Sequence, residues 1–220
     1  MTRIGLISDV HGDPLALELA WSHLTLLGAE RIVCAGDLVG YGPEPDAVAR
    51  FIDDRSIATA RGNHDRWAVE RGEGVPDEYG GGVPSAATLG FLERLSPGLV
   101  LEGAGRVGLV VHGSPRDDLE FIARRSHGPE ILRGYLAELG ADLLVFGHTH
   151  TPMWYRCDRG LVVNPGSIVS APIVKTSSTF AIVDLATLTP RFYAVETGRP
   201  VAVRAWEATV DADPGPDGST

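Results

Sequence analysis

The chain has 220 residues, 44% hydrophobic and 22% charged, ordinary figures for a globular domain with a sizeable core. Its formal net charge of −10 argues against a general nucleic-acid binder, which would present a basic face, although a local cationic site remains open to it. No apolar run approaches the roughly 18 residues that span a bilayer, and the opening MTRIGLISDV lacks a small-residue cleavage site, so neither a membrane span nor a signal peptide is expected.

In chain order, residues 3–8 read as a short apolar strand. Asp13 and Pro14 then read as N-cap and first helical residue. Leu17, Ala20, Trp21, Leu24 and Leu27 share a helical face, and Gly28 stops the helix. Residues 31–35 are a second strand, 44–52 a helix opened by Pro43 and Pro45, and 56–60 a third strand. Residues 66–85 are rich in glycine and proline and read as a mobile surface loop or lid, with Trp67 and Tyr79 as candidate lining. Two further strands are expected at 107–111 and 142–146, with a helix between them at about 129–139. This strand–loop–helix rhythm indicates an α/β fold.

After residue 150 the alternation suits antiparallel strands. One hairpin is expected from 153–157 and 160–163 around Asp158-Arg159-Gly160, and a second from 179–184 and 191–196. Residues 201–210 read as an edge strand and 211–220 as a frayed tail, so the expectation is one domain over residues 1–210. The two cysteines, Cys34 and Cys157, lie in strand-like sequence and read as free thiols in a reducing cytoplasm.

Five short motifs follow strand-like runs: SDVHG at 8–12, AGDLVG at 35–40, RGNHD at 61–65, VHGSP at 111–115 and FGHTH at 146–150. They hold five of the seven histidines, His11, His64, His112, His148 and His150. Asp9 and His11 stand two apart, as do His148 and His150, so each pair points one way in extended chain. Asp37 has two carboxylate oxygens and is the candidate bridge between ions, while Asn63 offers a neutral amide oxygen. Asp9, His11, Asp37, Asn63, His112, His148 and His150 make a mixed oxygen and nitrogen set. That set suits a pair of divalent transition-metal ions such as Mn, Fe, Co, Ni or Zn. No thiolate joins it, which argues against a structural zinc knuckle.

Two divalent ions against two carboxylates leave the site net positive even with a bridging hydroxide, and a phosphate ester is the anion that fits best. His64 is the candidate general acid for the leaving alkoxide. Asp65 either orients that imidazole or caps the following turn. Tyr41 either stacks on a base or aryl group or packs its loop, and Arg116 is placed by position alone as a phosphate contact. His23 and His127 read as structural, Asp13 and Asp46 as helix-start acids. Arg124, Arg125 and Arg133 read as solvated charges.

Together the five motifs resemble the calcineurin-like metallophosphoesterase superfamily over residues 5–170. The GYGP at 40–43, HGSPRD at 112–117 and NPGS at 164–167 resemble its small prokaryotic phosphodiesterase-like branch. The resemblance implies a four-layer αββα sandwich with a dinuclear site at the sheet edges. It also implies Asp9, His11, Asp37 and His150 on one ion, Asp37, Asn63, His112 and His148 on the other, and His64 near the leaving group. Protein phosphatases of that superfamily carry Asp-Arg after the second motif, where this chain has Gly40-Tyr41, so a phosphoprotein substrate is disfavoured. Lys175 is the one cation between residues 168 and 176, where small-branch relatives often have arginine. The expected activity is metal-dependent hydrolysis of small phosphodiesters or nucleotides in the cytoplasm, with phosphomonoesters as the alternative. A non-catalytic scaffold like the retromer subunit of this fold, and a nuclease of the DNA-repair branch, are the remaining readings. The sequence leaves the oligomeric state open.

Overall fold

A computed structural model describes residues 2–77, 79–123, 126–170 and 177–206. The earliest strands are short and apolar: β1 (Arg3–Ile7), β2 (Arg31–Cys34) and β3 (Ala58–Thr59). They run parallel, joined by helices α1 (Pro14–Leu26) and α2 (Pro45–Asp54). Burial on both faces explains why β1 reads as a continuous apolar run and not as an alternating one. Asp13 caps α1, its carboxylate accepting the N–H groups of Leu15 and Ala16 at 3.1 and 3.0 Å. Gly5 lets that helix settle directly on β1: a Cβ there would stand 2.8 Å from Leu24 Cδ2.

Helix α3 (Asn63–Arg71) follows β3, and α4 (Ala86–Glu93) leads into the antiparallel pair β4 (Gly98–Gly103) and β5 (Arg106–Val111). Then come α5 (Pro129–Leu139), β6 (Leu143–Val145) and the hairpin of β7 (Met153–Arg156) and β8 (Leu161–Asn164). The chain returns through β9 (Thr179–Asp184), β10 (Thr189–Ala194) and β11 (Pro200–Val201). Two sheets result, in the orders β11-β10-β9-β1-β2-β3 and β4-β5-β6-β8-β7.

Three apolar cores separate four layers. Leu17, Leu24, Val48, Ile52 and Leu92 bring α1, α2 and α4 onto the outer face of the first sheet through Ile7 and Ile182. Ile4, Leu6, Val33 and Val183 face Val110, Leu143, Val145 and Leu161 between the sheets. Leu132, Tyr135 and Leu136 of α5 cover Leu144, Phe146 and Val162 on the far side. The order helix, sheet, sheet, helix is the αββα sandwich expected from the sequence, and strand alternation sorts neighbours such as Leu143 and Leu144 to opposite cores.

Several details differ from the sequence reading. The segment expected as a loop from residue 66 begins as helix, since α3 runs to Arg71. Its remainder is fastened at several points: Arg71 to Asp77 at 2.6 Å, Gly82 N–H to Gly42 O at 2.9 Å, and Ser85 to Asp46 at 2.9 Å. Helix α4 and strand β4 were not anticipated. The edge strand expected over 201–210 is reduced to β11 and one bridge between Ala205 and Trp154 among the described residues. Arg124, Arg125, Lys175 and the tail at 211–220 lie outside the described residues. Among the described residues no helix is long and apolar enough to cross a membrane.

Candidate metal centre

The segments that follow β1, β2, β3, β5 and β6 converge, and every residue expected to hold metal lies where they meet. Backbone pairing zips the first two together. Asp9 N–H donates to Gly36 O at 2.9 Å, and the N–H groups of Val10 and His11 both donate to Asp37 O, at 2.8 and 3.0 Å. The turns are tight. Nine non-glycine residues among those described hold positive φ, and six are here: Asp9, His11, Asp37, Tyr41, His148 and His150. Such strain persists where the surrounding fold over-determines it, and it collects at sites where side chains must converge.

Asp9, His11, Asp37, Asn63 and His112 are each at most 1% exposed. Their contacts form a chain of close donor atoms. His11 Nε2 lies 3.0 Å from His150 Nε2, which is 3.3 Å from Asp9 Oδ1. Asp37 Oδ2 lies 3.1 Å from His112 Nε2 and 3.9 Å from His11 Nε2. Asn63 Oδ1 is 3.0 Å from His112 Nε2. Asp9, His11 and His150 therefore form one potential cation cluster, Asp37, His112 and His148 another, and His11, Asp37 and His64 a third that overlaps the first two. The outward nitrogens are engaged: His11 Nδ1 faces Val39 O at 3.1 Å, and His112 Nδ1 faces Ala35 O at 2.7 Å. A proton on each Nδ1 donates to that carbonyl and leaves the Nε2 lone pair turned inward, the arrangement that orients ligating histidines.

Electrostatics point to a cation. Asp9 Oδ2 is fully buried with no hydrogen-bond partner among the described residues, a costly state for a carboxylate oxygen unless a cation meets it. Burial disfavours a charged His112, yet the adjoining Asp37 carboxylate outweighs burial and lifts the imidazole to about 10. Burial likewise resists ionisation of Asp37, and His112 beside it wins, holding that carboxyl well below its usual range. The Asp37 carboxylate thus favours a positive charge beside it, which either a proton on His112 Nε2 or a bound cation can supply, the cation leaving Nε2 free to ligate. His11 behaves oppositely: burial, only partly offset by Asp37 and Asp9, drives it down to about 4, which keeps its nitrogen free to ligate. Donor chemistry and the orphaned oxygen both fit divalent metal.

His64 enters from α3 and is walled by aromatic rings. Tyr41, Trp67 and Tyr79 lie with centroids 4.9, 5.1 and 5.6 Å from its imidazole, and His11 at 5.1 Å. Tyr41 is also 4.5 Å from His11, so it stands at the site, where burial pushes its hydroxyl up to about 12.

Two expectations are corrected. Of the two roles open to it, Asp65 does not orient His64 but caps the start of α3, accepting the Gly62 N–H. Its oxygens accept four backbone N–H groups, those of Leu38 and Val39 on Oδ1 and of Asp37 and Gly62 on Oδ2, at 2.8 to 3.2 Å. It locks the Asp37 turn to the start of α3. Burial and the neighbouring Asp37 carboxylate push its carboxyl up, to about 6, against those four amides. The acid beside His64 is Asp77, buried, with Oδ2 3.4 Å from Nδ1 and 2.6 Å from Arg71. No local pattern marks it, because Asp77 sits in irregular chain, where an aspartate two residues before Tyr79 reads only as a turn. Arg116 turns away from the cluster. Its guanidinium pairs with Glu138 at 2.9 Å over the Tyr135 ring, because α5 supplies both an acid and an aromatic face. His127 and His23 do not join the cluster. His127 lies 3.0 Å from Glu120, and His23 stacks on Phe180.

The NPGS segment supports the site from behind. Asn164 Nδ2 donates to Gly147 O at 2.7 Å and to Thr149 Oγ1 at 3.0 Å, and Ser167 Oγ donates to Asp9 O at 2.9 Å. These bonds hold the turns that carry His148, His150 and Asp9.

Comparisons with known proteins agree with this architecture. The family model of the calcineurin-like phosphoesterase superfamily domain matches residues 2–188. A probable metallophosphoesterase of Methanothermobacter thermautotrophicus is 30% identical over 168 residues, 74% of this chain and 76% of that protein. The crystal structure of a metallophosphoesterase from Sphaerobacter thermophilus superposes with a TM-score of 0.67 at 26% identity, covering 92% of this chain and 89% of that one. A hypothetical protein of Pyrococcus horikoshii shares the fold with a TM-score of 0.70 at 21% identity, 88% of each chain being covered. The chain belongs to the calcineurin-like phosphoesterase superfamily, a metal-dependent family, and is a phosphoric ester hydrolase.

Proposed function

We propose that this chain hydrolyses small phosphodiesters or nucleotides with a pair of divalent ions. The observation that carries the reading is Asp37, whose one carboxylate is shared between the His11 and His112 sides of the cluster. Asp9, His11, Asp37 and His150 would hold one ion, and Asp37, Asn63, His112 and His148 the other. Such a pair polarises the phosphoryl group and supplies hydroxide for in-line attack. Mn, Fe, Co, Ni and Zn all suit this donor set.

The chain's own residues do the rest. His64 donates a proton to the departing alkoxide, and Asp77 holds the imidazole against Tyr41 and Trp67 in the orientation that lets it do so. Asp65 fixes the turn on which Asp37 stands. The net charge of −10 turns long nucleic acids away and leaves small esters as the substrate class. Cys34 and Cys157 are unpaired thiols, which fits a cytoplasmic protein.

The test is release of nitrophenol from bis-p-nitrophenyl phosphate and p-nitrophenyl phosphate by chelated protein titrated with Mn²⁺. Metal-dependent release, faster from the diester, is the expected result. Faster release from the monoester would move the assignment to a phosphomonoesterase, and release from neither would end the hydrolase reading for these esters.

A further inference from the structure

Beside the histidine cluster lies a cavity of about 310 Å³ that the chemistry above does not use. Phe121, Ile122, Met153 and Trp206 give it apolar walls, and Thr149 and Thr151, on either side of His150, line the wall nearest the ligands. Its size and its mostly apolar lining, with two threonines and Arg204 as the polar members, are those of a compact small-molecule pocket. Phe121 is 52% exposed, yet its ring stands edge-on to His148 with centroids 5.8 Å apart. The wall is fastened in place. On one side Asp118 forms a forked bridge to Arg66 at 2.7 and 3.0 Å. Next to Phe121, Glu120 accepts the Tyr135 hydroxyl at 2.8 Å and meets His127 at 3.0 Å. A large aromatic at an open pocket, carried by a loop anchored at Asp118 and Glu120, offers a ring on which a ligand base can stack.

The placement of the pocket says which part of a substrate it takes. His64 and Tyr41 lie against His11, on one flank of Asp37. Phe121 lies against His148, which packs on His112, on the other flank. In hydrolysis the hydroxide oxygen bonds to phosphorus, the bond from phosphorus to the leaving oxygen breaks, and that oxygen takes its proton from His64. The leaving group therefore belongs on the His64 flank. A phosphate substituent lying towards Phe121 is the one retained.

We propose that this cavity seats the retained nucleoside of a phosphodiester, its base packed against Phe121, so that the substrates are nucleoside phosphodiesters. This rests on the hydrolase reading above. Two probes share a leaving group and differ only in the retained arm: thymidine 5′-(p-nitrophenyl phosphate) and methyl p-nitrophenyl phosphate. With Mn²⁺-loaded protein, kcat/KM is expected to favour the thymidine ester by about tenfold or more, the scale of base–aromatic stacking. That ratio should collapse in Phe121→Ala and return in Phe121→Tyr. Equal use of both esters, or a preference that survives Phe121→Ala, overturns the proposal. Calorimetric binding of thymidine 5′-monophosphate supplies a readout free of turnover: affinity about tenfold weaker in Phe121→Ala supports the site, whereas equal affinity, or no binding to the unaltered protein, rejects it. If neither ester is cleaved, the hydrolase reading fails and the calorimetry alone decides the pocket.

Discussion

Asp65 and Asp77 are both buried acids near His64, and their partners separate what each does. Asp65 accepts four backbone amides and touches no reacting group. Asp65→Asn replaces one acceptor oxygen with a donor that faces two of those amides, so the fold should lose about 3 kcal/mol or more, since hydrogen bonds to a buried charge are worth roughly 1.5–3 kcal/mol each. Urea denaturation of the metal-free protein reads this, and a midpoint unchanged from the parent would reject the locking role. Asp77 instead meets the imidazole and Arg71. Asp77→Asn should cut kcat by about tenfold to a hundredfold, less than the roughly 10²–10⁴ expected for His64→Ala, since it disorients a general acid without removing it. KM and metal content should stay near the parent values in both variants. Loss of metal alongside loss of turnover would show that these residues build the centre and do not work the proton.

At the scale of elements, the start of α3 is where sequence and site are most tightly joined. His64 N–H donates to Asp37 Oδ1 at 2.9 Å, and Gly62 lies so close that a Cβ there would collide with that oxygen and with Asp37 N. Gly62→Ala should therefore displace the shared carboxylate, costing about 1–3 kcal/mol as overpacking does and lowering metal stoichiometry measured by elemental analysis. Gly90 is the contrast: in α4 its Cβ would meet only Arg94 Nη1, at 3.9 Å. Gly90→Ala should stabilise by about 0.5–1 kcal/mol, raising the melting temperature by a few degrees. The same contrast explains what the sequence discloses. The strands before the first and last motifs, β1 and β6, were legible because burial on both faces makes them apolar runs, and the candidate donors were legible because histidine, aspartate and asparagine recur just after strand-like runs at spacings that suit metal. Helix α4 was not, because it is short and its Ser85 cap resembles any loop serine. Strand β4 was hidden by its outward face: Leu101 is buried between exposed Val100 and Glu102, but with apolar Val100 pointing out the sequence shows no polar–apolar alternation. The places of Asp77 beside His64 and Phe121 beside His148 were not legible, since each is brought there by a loop whose path depends on anchors such as Arg71, Arg66 and Tyr135.

Across the whole molecule, the donor set is divided between the two sheets. Asp9 and His11, Asp37, and Asn63 follow β1, β2 and β3 of one sheet, whereas His112, His148 and His150 follow β5 and β6 of the other. Between the sheets the contact is apolar, through residues such as Leu6, Val33, Val110 and Val145. Metal bound at the junction would add a polar cross-link at one end of that apolar seam, and it would neutralise the buried Asp9 and Asp37 carboxylates. Binding that selects the folded state stabilises it by mass action, about 2.7 kcal/mol when free metal is a hundred times its dissociation constant. For a chain of this length each kcal/mol moves the melting temperature by roughly 2–4 °C, so excess Mn²⁺ should raise it by about 5–10 °C over chelated protein. Asp37→Asn should remove most of that gain, because the shared carboxylate belongs to both halves of the set. Hydrogen exchange locates the effect: amides at the ends of β1 and β2 and those at the ends of β5 and β6 should gain protection together. Protection confined to one sheet, or a melting temperature indifferent to metal, would mean that the sheets are not joined through this centre.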